Sequence, residues 1–124
     1  MVASTTPGVK ELEWKVGSIA RTDTTDTALF VLPSGCTPMM VLVLGSTASD
    51  AGTSAVVDVG VSGTSNKYGT ANVKTNGATV SVVGTLMGTK LTSDVKITGK
   101  YTEAGTASTA GGDWVVMVGY VRTV

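Results

Sequence analysis

Between Val9 and Val124 the chain runs as short stretches of Val, Thr, Ile and Leu, each stopped by a turn of Gly, Ser, Thr or Pro. β-branched residues at that density fit a pleated, half-buried surface, and no window sets apolar residues at a helical period. Such a chain is confined to sheet. Its 124 residues suffice for one domain with a real core and are too few for two. About seven or eight strands separated by turn signals predict an all-β, single-domain antiparallel β-sandwich of jelly-roll type.

Leu12, Trp14 and Val16 alternate with Glu11, Glu13 and Lys15, which predicts a half-buried strand with the apolar three inward. Gly17-Ser18 interrupts that phase before Ile19 and predicts a bulge. Ala28 to Leu32 is a second strand, stopped by Pro33-Ser34-Gly35. Met39 to Val43 is apolar on both faces, so it is expected to be covered on both, within the domain or by a neighbouring subunit. From Ala55 to Val61 the alternation puts Val57, Val59 and Val61 inward. Ser62 to Asn76 reads as a polar surface excursion with a short strand at Ala71 to Lys74, which leaves Tyr68 in a loop. Asn76-Gly77 predicts a hairpin into a strand at Thr79 to Val83, and Gly84 to Leu91 has room for one turn of helix. Along Asp94 to Tyr101, Val95, Ile97 and Tyr101 face inward. Trp114 to Arg122 is read as the longest strand; apolar on both faces, it is expected at the centre of its sheet, near the first strand. Residues 1–8, from Met1 to Gly8, are small, polar and end on Pro-Gly. They read as a flexible arm ahead of a domain at 9–124, without the ordered basic and apolar regions of a secretory signal.

The chemistry available to this chain is narrow. It has no histidine, so Ser-His-Asp and Cys-His nucleophile systems cannot be built. One cysteine, Cys36, cannot form an intrachain disulfide or, without histidine, fill a zinc site. It reads as a small buried hydrophobe, and its isolation favours an intracellular place of assembly. Ser93-Asp94-Val95-Lys96 lies in a strand, where residues three apart face opposite sides, so it is no Ser-Lys catalytic pair. Asp23 and Asp26 offer two carboxylates to a cation, against the commoner reading of aspartates shaping their own turn. Gly105 to Gly112 lacks the lysine and helix of a phosphate loop. Trp14, Trp114 and Tyr120 fit core positions, which leaves Tyr68 as the exposed aromatic. No cofactor is expected.

Charge narrows the partners. Nine basic and nine acidic residues give net zero, and charged residues are 15% of the chain, well below the usual quarter. The lysines stand singly, with no stripe for phosphates and no polybasic run for a membrane surface. The longest apolar run, Met39 to Leu44, is six residues, against about 20 for a spanning helix. Neither nucleic acid nor membrane is an expected partner. Weak self-repulsion permits many copies to associate closely.

Three stretches carry a resemblance: Ala28-Leu29-Phe30-Val31-Leu32-Pro33-Ser34-Gly35, the loop Gly45 to Ala55 with its Thr47-Ala48-Ser49-Asp50-Ala51-Gly52-Thr53, and the loop Gly99 to Gly112 with its Tyr101-Thr102-Glu103-Ala104-Gly105-Thr106-Ala107-Ser108-Thr109-Ala110-Gly111-Gly112. With the closing Trp114 to Arg122 strand, the chain resembles small structural proteins of tailed bacteriophages, nearest to head decoration or cement proteins. The resemblance implies a β-sandwich, often a jelly roll, without catalytic residues. It implies a virion protein assembled in the host cytoplasm, sitting on the capsid surface, bound to the major capsid protein or other virion proteins and to its own copies, with a trimer favoured. The candidate interface is Val2, Thr5 and Pro7 of the arm, Met39, Met40 and Leu42 of the doubly apolar strand, and Tyr68. The competing reading is a tail or fibre module that binds a carbohydrate or host receptor through Tyr68.

Overall fold

The computed structural model describes residues 12–74 and 88–122. Seven strands occur there: β1 (Leu12–Ile19), β2 (Thr27–Leu32), β3 (Cys36–Leu44), β4 (Ser54–Val61), β5 (Thr64–Asn72), β6 (Val95–Ala104) and β7 (Trp114–Arg122). They form two antiparallel sheets, one ordered β1-β7-β3 and the other β2-β6-β4-β5. β1 to β4 step from sheet to sheet, β4 and β5 form a hairpin, and β6 and β7 return into the middle of the two sheets. That winding is a jelly-roll sandwich. The arm at 1–8, the Asn76-Gly77 hairpin, the strand at Thr79 to Val83 and most of the helical turn at Gly84 to Leu91 lie outside the described residues.

The core forms where the inner faces meet. Val41 and Val43 of β3, with Trp114, Val116 and Val118 of β7, face Val57 and Val59 of β4 and Ile97 and Tyr101 of β6, all but fully buried. Tyr101 and Trp114 stack across the sheets with centroids 5.2 Å apart and planes 8° from parallel. β7 lies between β1 and β3, as its two apolar faces predict. β6, with ten residues, is the longer strand.

Three expectations are overturned. First, β1 is inverted. It runs in unbroken register with β7 from Leu12 opposite Val121 to Ile19 opposite Trp114, with no bulge at Gly17-Ser18. Ile19 is fully buried, and Lys15 and Glu13 share its side of the strand by period two. Leu12, Trp14 and Val16 therefore turn outward, and Leu12 and Val16 are exposed. Second, the bulges fall at Ala28/Phe30, Pro38/Met40 and Val59/Val61. Third, Ser62 to Asn76 is not an excursion, because β5 pairs along β4 through the tight turn at Gly63. Tyr68 is not a loop residue: it lies in β5, 4% exposed, inside the core. Gly69, at φ 139°, and the shift at Val59/Val61 rotate the strand so that Tyr68 and Ala71 both come inward, three residues apart.

Candidate protein interface

The three-stranded sheet has an outer face, and strand register assigns its residues. Along β7 the buried Trp114, Val116, Val118 and Tyr120 point in, so Val115, Met117, Gly119 and Val121 point out. β1 contributes Leu12, Trp14 and Val16 opposite Val121, Gly119 and Met117. β3, after its bulge at Met39, contributes Met40, Leu42 and Leu44 opposite Gly119, Met117 and Val115. Ser18 and Thr37 are the polar residues of the face, and none of its positions is charged. Gly119 makes the centre flat. A Cβ there would lie 3.0 Å from the Trp14 ring and 3.2 Å from Met40 Cγ, so these side chains close over β7 from both flanks. Leu12, Val16 and Met39 are 42%, 57% and 45% exposed. At one end, Leu44 and Val115 border a shallow open groove completed by Gly45, Ser46 and Asp113.

Of the residues expected at an interface, Met39 is exposed, while Met40 and Leu42 are half-buried and outward. Val2, Thr5 and Pro7 lie outside the described residues. Tyr68 is removed from any exposed surface, and burial pushes its phenol pKa up. Sequence reasoning turned Leu12, Trp14 and Val16 inward, and it read the Trp114 to Val121 strand as doubly apolar, a place where surplus sheet surface meets other copies, without naming Val115, Met117 and Val121 singly. The signal was Ile19: a strand without a bulge places it in phase with Glu13 and Lys15.

The loops that continue from this groove, at the same end of the sandwich, are polar and densely hydrogen-bonded. The 47–53 loop and the 103–112 loop, both part of the family resemblance, lie against each other. Gly52 N–H donates to Thr106 O (2.8 Å), Thr53 N–H to Ala104 O (2.9 Å) and Gly112 N–H to Thr47 O (3.2 Å). Asp50 accepts from the N–H and hydroxyl of Thr109 and the N–H of Ala110 at 2.7 to 2.9 Å. The Ala110 N–H and then the Thr109 groups hold its carboxyl down to about 2. Glu103 is lowered in the same way by the Ser108 hydroxyl and N–H. Arg21 donates to the carbonyls of Gly111, Ser108 and Thr109 at 3.0 to 3.2 Å. Ser49 Oγ and Tyr101 OH share a buried bond of 2.7 Å, and Ala51 N–H donates to Ser49 Oγ. Gly111, at φ 116°, lets the loops touch, since a Cβ there would meet the Ser49 backbone at 2.6 Å. These small residues serve a close approach within the chain.

Asp23 and Asp26 have separate duties. Asp23 Oδ2 accepts from Ala20 N–H, while Asp26 accepts from the Ser65 hydroxyl (2.7 Å) and Gly63 N–H (3.3 Å), bonds that lower its pKa with the Ser65 hydroxyl foremost. Among the described residues no group of three or more Cys, Asp or Glu is placed to hold a metal ion.

The fold defines an antiparallel jelly-roll sandwich with one apolar outer face. No protein-family model matches the sequence, and no curated protein matches it. Among solved structures, a chain described as part of the cyanophage Pam1 capsid asymmetric unit is similar. It is 15% identical, with a TM-score of 0.62 over 99% of this chain and 100% of that one. At that identity the likeness is one of fold.

Proposed function

We propose that this chain is a non-enzymatic structural protein of a bacteriophage virion, a decoration or cement protein that sits on the capsid surface and binds the capsid lattice and its own copies. The observation that carries the proposal is the uncharged, apolar outer face of the β1-β7-β3 sheet. Apolar surface of that extent on a small domain marks a place where another protein sits. The fold shared with a chain of a phage capsid unit and the motif loops of the phage-protein resemblance support the same reading. The carbohydrate-binding alternative rested on an exposed Tyr68, which is buried.

The test is co-sedimentation of the purified chain with capsids of its own phage that lack it. The proposal predicts saturable binding, weakened by deletion of residues 1–8 and lost in Val16→Asp. A chain that stays in the supernatant at every ratio overturns it.

A further inference from the structure

We infer that the outer face of the β1-β7-β3 sheet pairs with the same face of a second copy, sheet on sheet, about a two-fold axis. The inference deepens the virion reading and rests on it, because it names the surface through which copies meet.

A contact between copies is either like-on-like or between two different patches. The second kind needs another apolar patch to receive this one. Among the described residues, Leu12, Val16, Met39 and Val31 are the exposed large hydrophobics, and only Val31 lies on the other sheet. There it stands opposite Lys96 of β6, on a face that also carries Lys100, Asp58 and Thr70. That face cannot desolvate against Trp14, Met117 and Leu42 without stripping charges of water. The apolar face matches itself.

Charge agrees. A two-fold axis sets a face against itself, so a face with charge of one sign would repel its copy, and this one has no charge among its outward positions. On the inward side of the β1-β7 pair, Glu13 and Arg122 are already paired with each other within one chain, 2.8 Å apart. Pairing through the β1 edge is disfavoured, because Glu13 and Lys15 point inward along it, a feature that blunts edge-to-edge addition. The face remains.

Area sets the strength. Three strands about 4.8 Å apart, each about eight residues long at about 3.4 Å, cover a footprint of about 400 Å². Two such faces, with side-chain relief, remove about 1,000 Å² in total, the low end for a specific interface. Pairing is therefore concentration-dependent. A closed trimer would need a heterologous contact, and the described residues offer no second apolar patch to make one.

The experiment is sedimentation equilibrium of the full chain over a micromolar concentration series, with capsid co-sedimentation in parallel. The wild type is expected to approach twice the chain mass. Val16→Asp and Met39→Lys, both at exposed positions, are expected to stay monomeric with unchanged melting curves. Val31→Asp on the other sheet is expected to pair like the wild type. A monomer at all concentrations, a species of three chains, or pairing that survives both face variants overturns the inference. If such a protein still binds capsids, the virion reading stands and only the two-fold pairing falls.

Discussion

The two sheets present opposite surfaces to the outside. On the four-stranded sheet, Lys96, Lys100 and Thr102 lie outward of the buried Ile97 and Tyr101, and Asp58 accepts a hydrogen bond from Thr70. That is an ordinary solvated exterior, polar out and apolar in. On the three-stranded sheet, both faces of β7 and β3 are apolar, and β1 turns its Leu12, Trp14 and Val16 outward. A single buried core needs one apolar face per sheet. A second apolar face is surplus to the core of one domain, and the proposed contact with another protein accounts for it.

The largest effect that would break this contrast comes from neighbouring residues of β7. Val118→Asp puts a charge into the core and is expected to cost roughly 4 kcal/mol or more, enough to unfold much of the population. Met117→Lys, one residue away and outward, is expected to shift stability by no more than about 1 kcal/mol while abolishing association. Urea titrations of both measure the difference, and equal destabilisation would show that the outer face is part of the core. Next in size is Trp114→Ala, which removes the ring stacked on Tyr101 and is expected to cost about 3 to 5 kcal/mol by the same titration.

Ser49→Ala probes the loop end. It leaves the Tyr101 hydroxyl and the Ala51 N–H without their buried partner, for an expected loss of about 1 to 3 kcal/mol and no change in association. The pH dependence comes from the same loops. Asp50 is held at about 2, below its ordinary 3.8, so its hydrogen bonds contribute stability above the ordinary value, and that contribution is lost as pH falls toward 2. Glu103 and Asp26, also lowered, act in the same direction. Asp50→Asn is expected to flatten the fall in melting temperature on acidification below about pH 4. The smallest effect is expected from Lys96→Ala on the solvated sheet, within about 0.5 kcal/mol and with association unchanged.

The architecture was legible because turn chemistry and β-branched runs punctuate the chain strongly. β4 and β6 fall where alternation predicts them, and β2, β3 and β7 where apolar runs bounded by turn signals do. β1 was placed correctly and turned the wrong way, for a physical reason. Pattern reading assumes that the apolar side of a strand faces its own core, and here that side is the one kept outside. Ile19, in phase with Lys15, held the correction. β5 was hidden because its inward residues, Tyr68 and Ala71, are three apart across Gly69, which a period of two cannot register. The same irregularity turned the expected surface aromatic into core. Met39, Met40 and Leu42 were singled out from the doubly apolar run, but β1's share of the face needed register with β7, which no single strand reveals.

Trp14 reports on the outer face directly. Trp114 is fully buried, so acrylamide quenching of the intact protein reads Trp14. If the outer face of the β1-β7-β3 sheet is where this protein meets its neighbours, Trp14 is quenched in dilute solution. It becomes protected, with blue-shifted emission, as concentration rises or capsids are added. A Trp14 that stays equally quenchable at every concentration and on saturating capsids would contradict that reading.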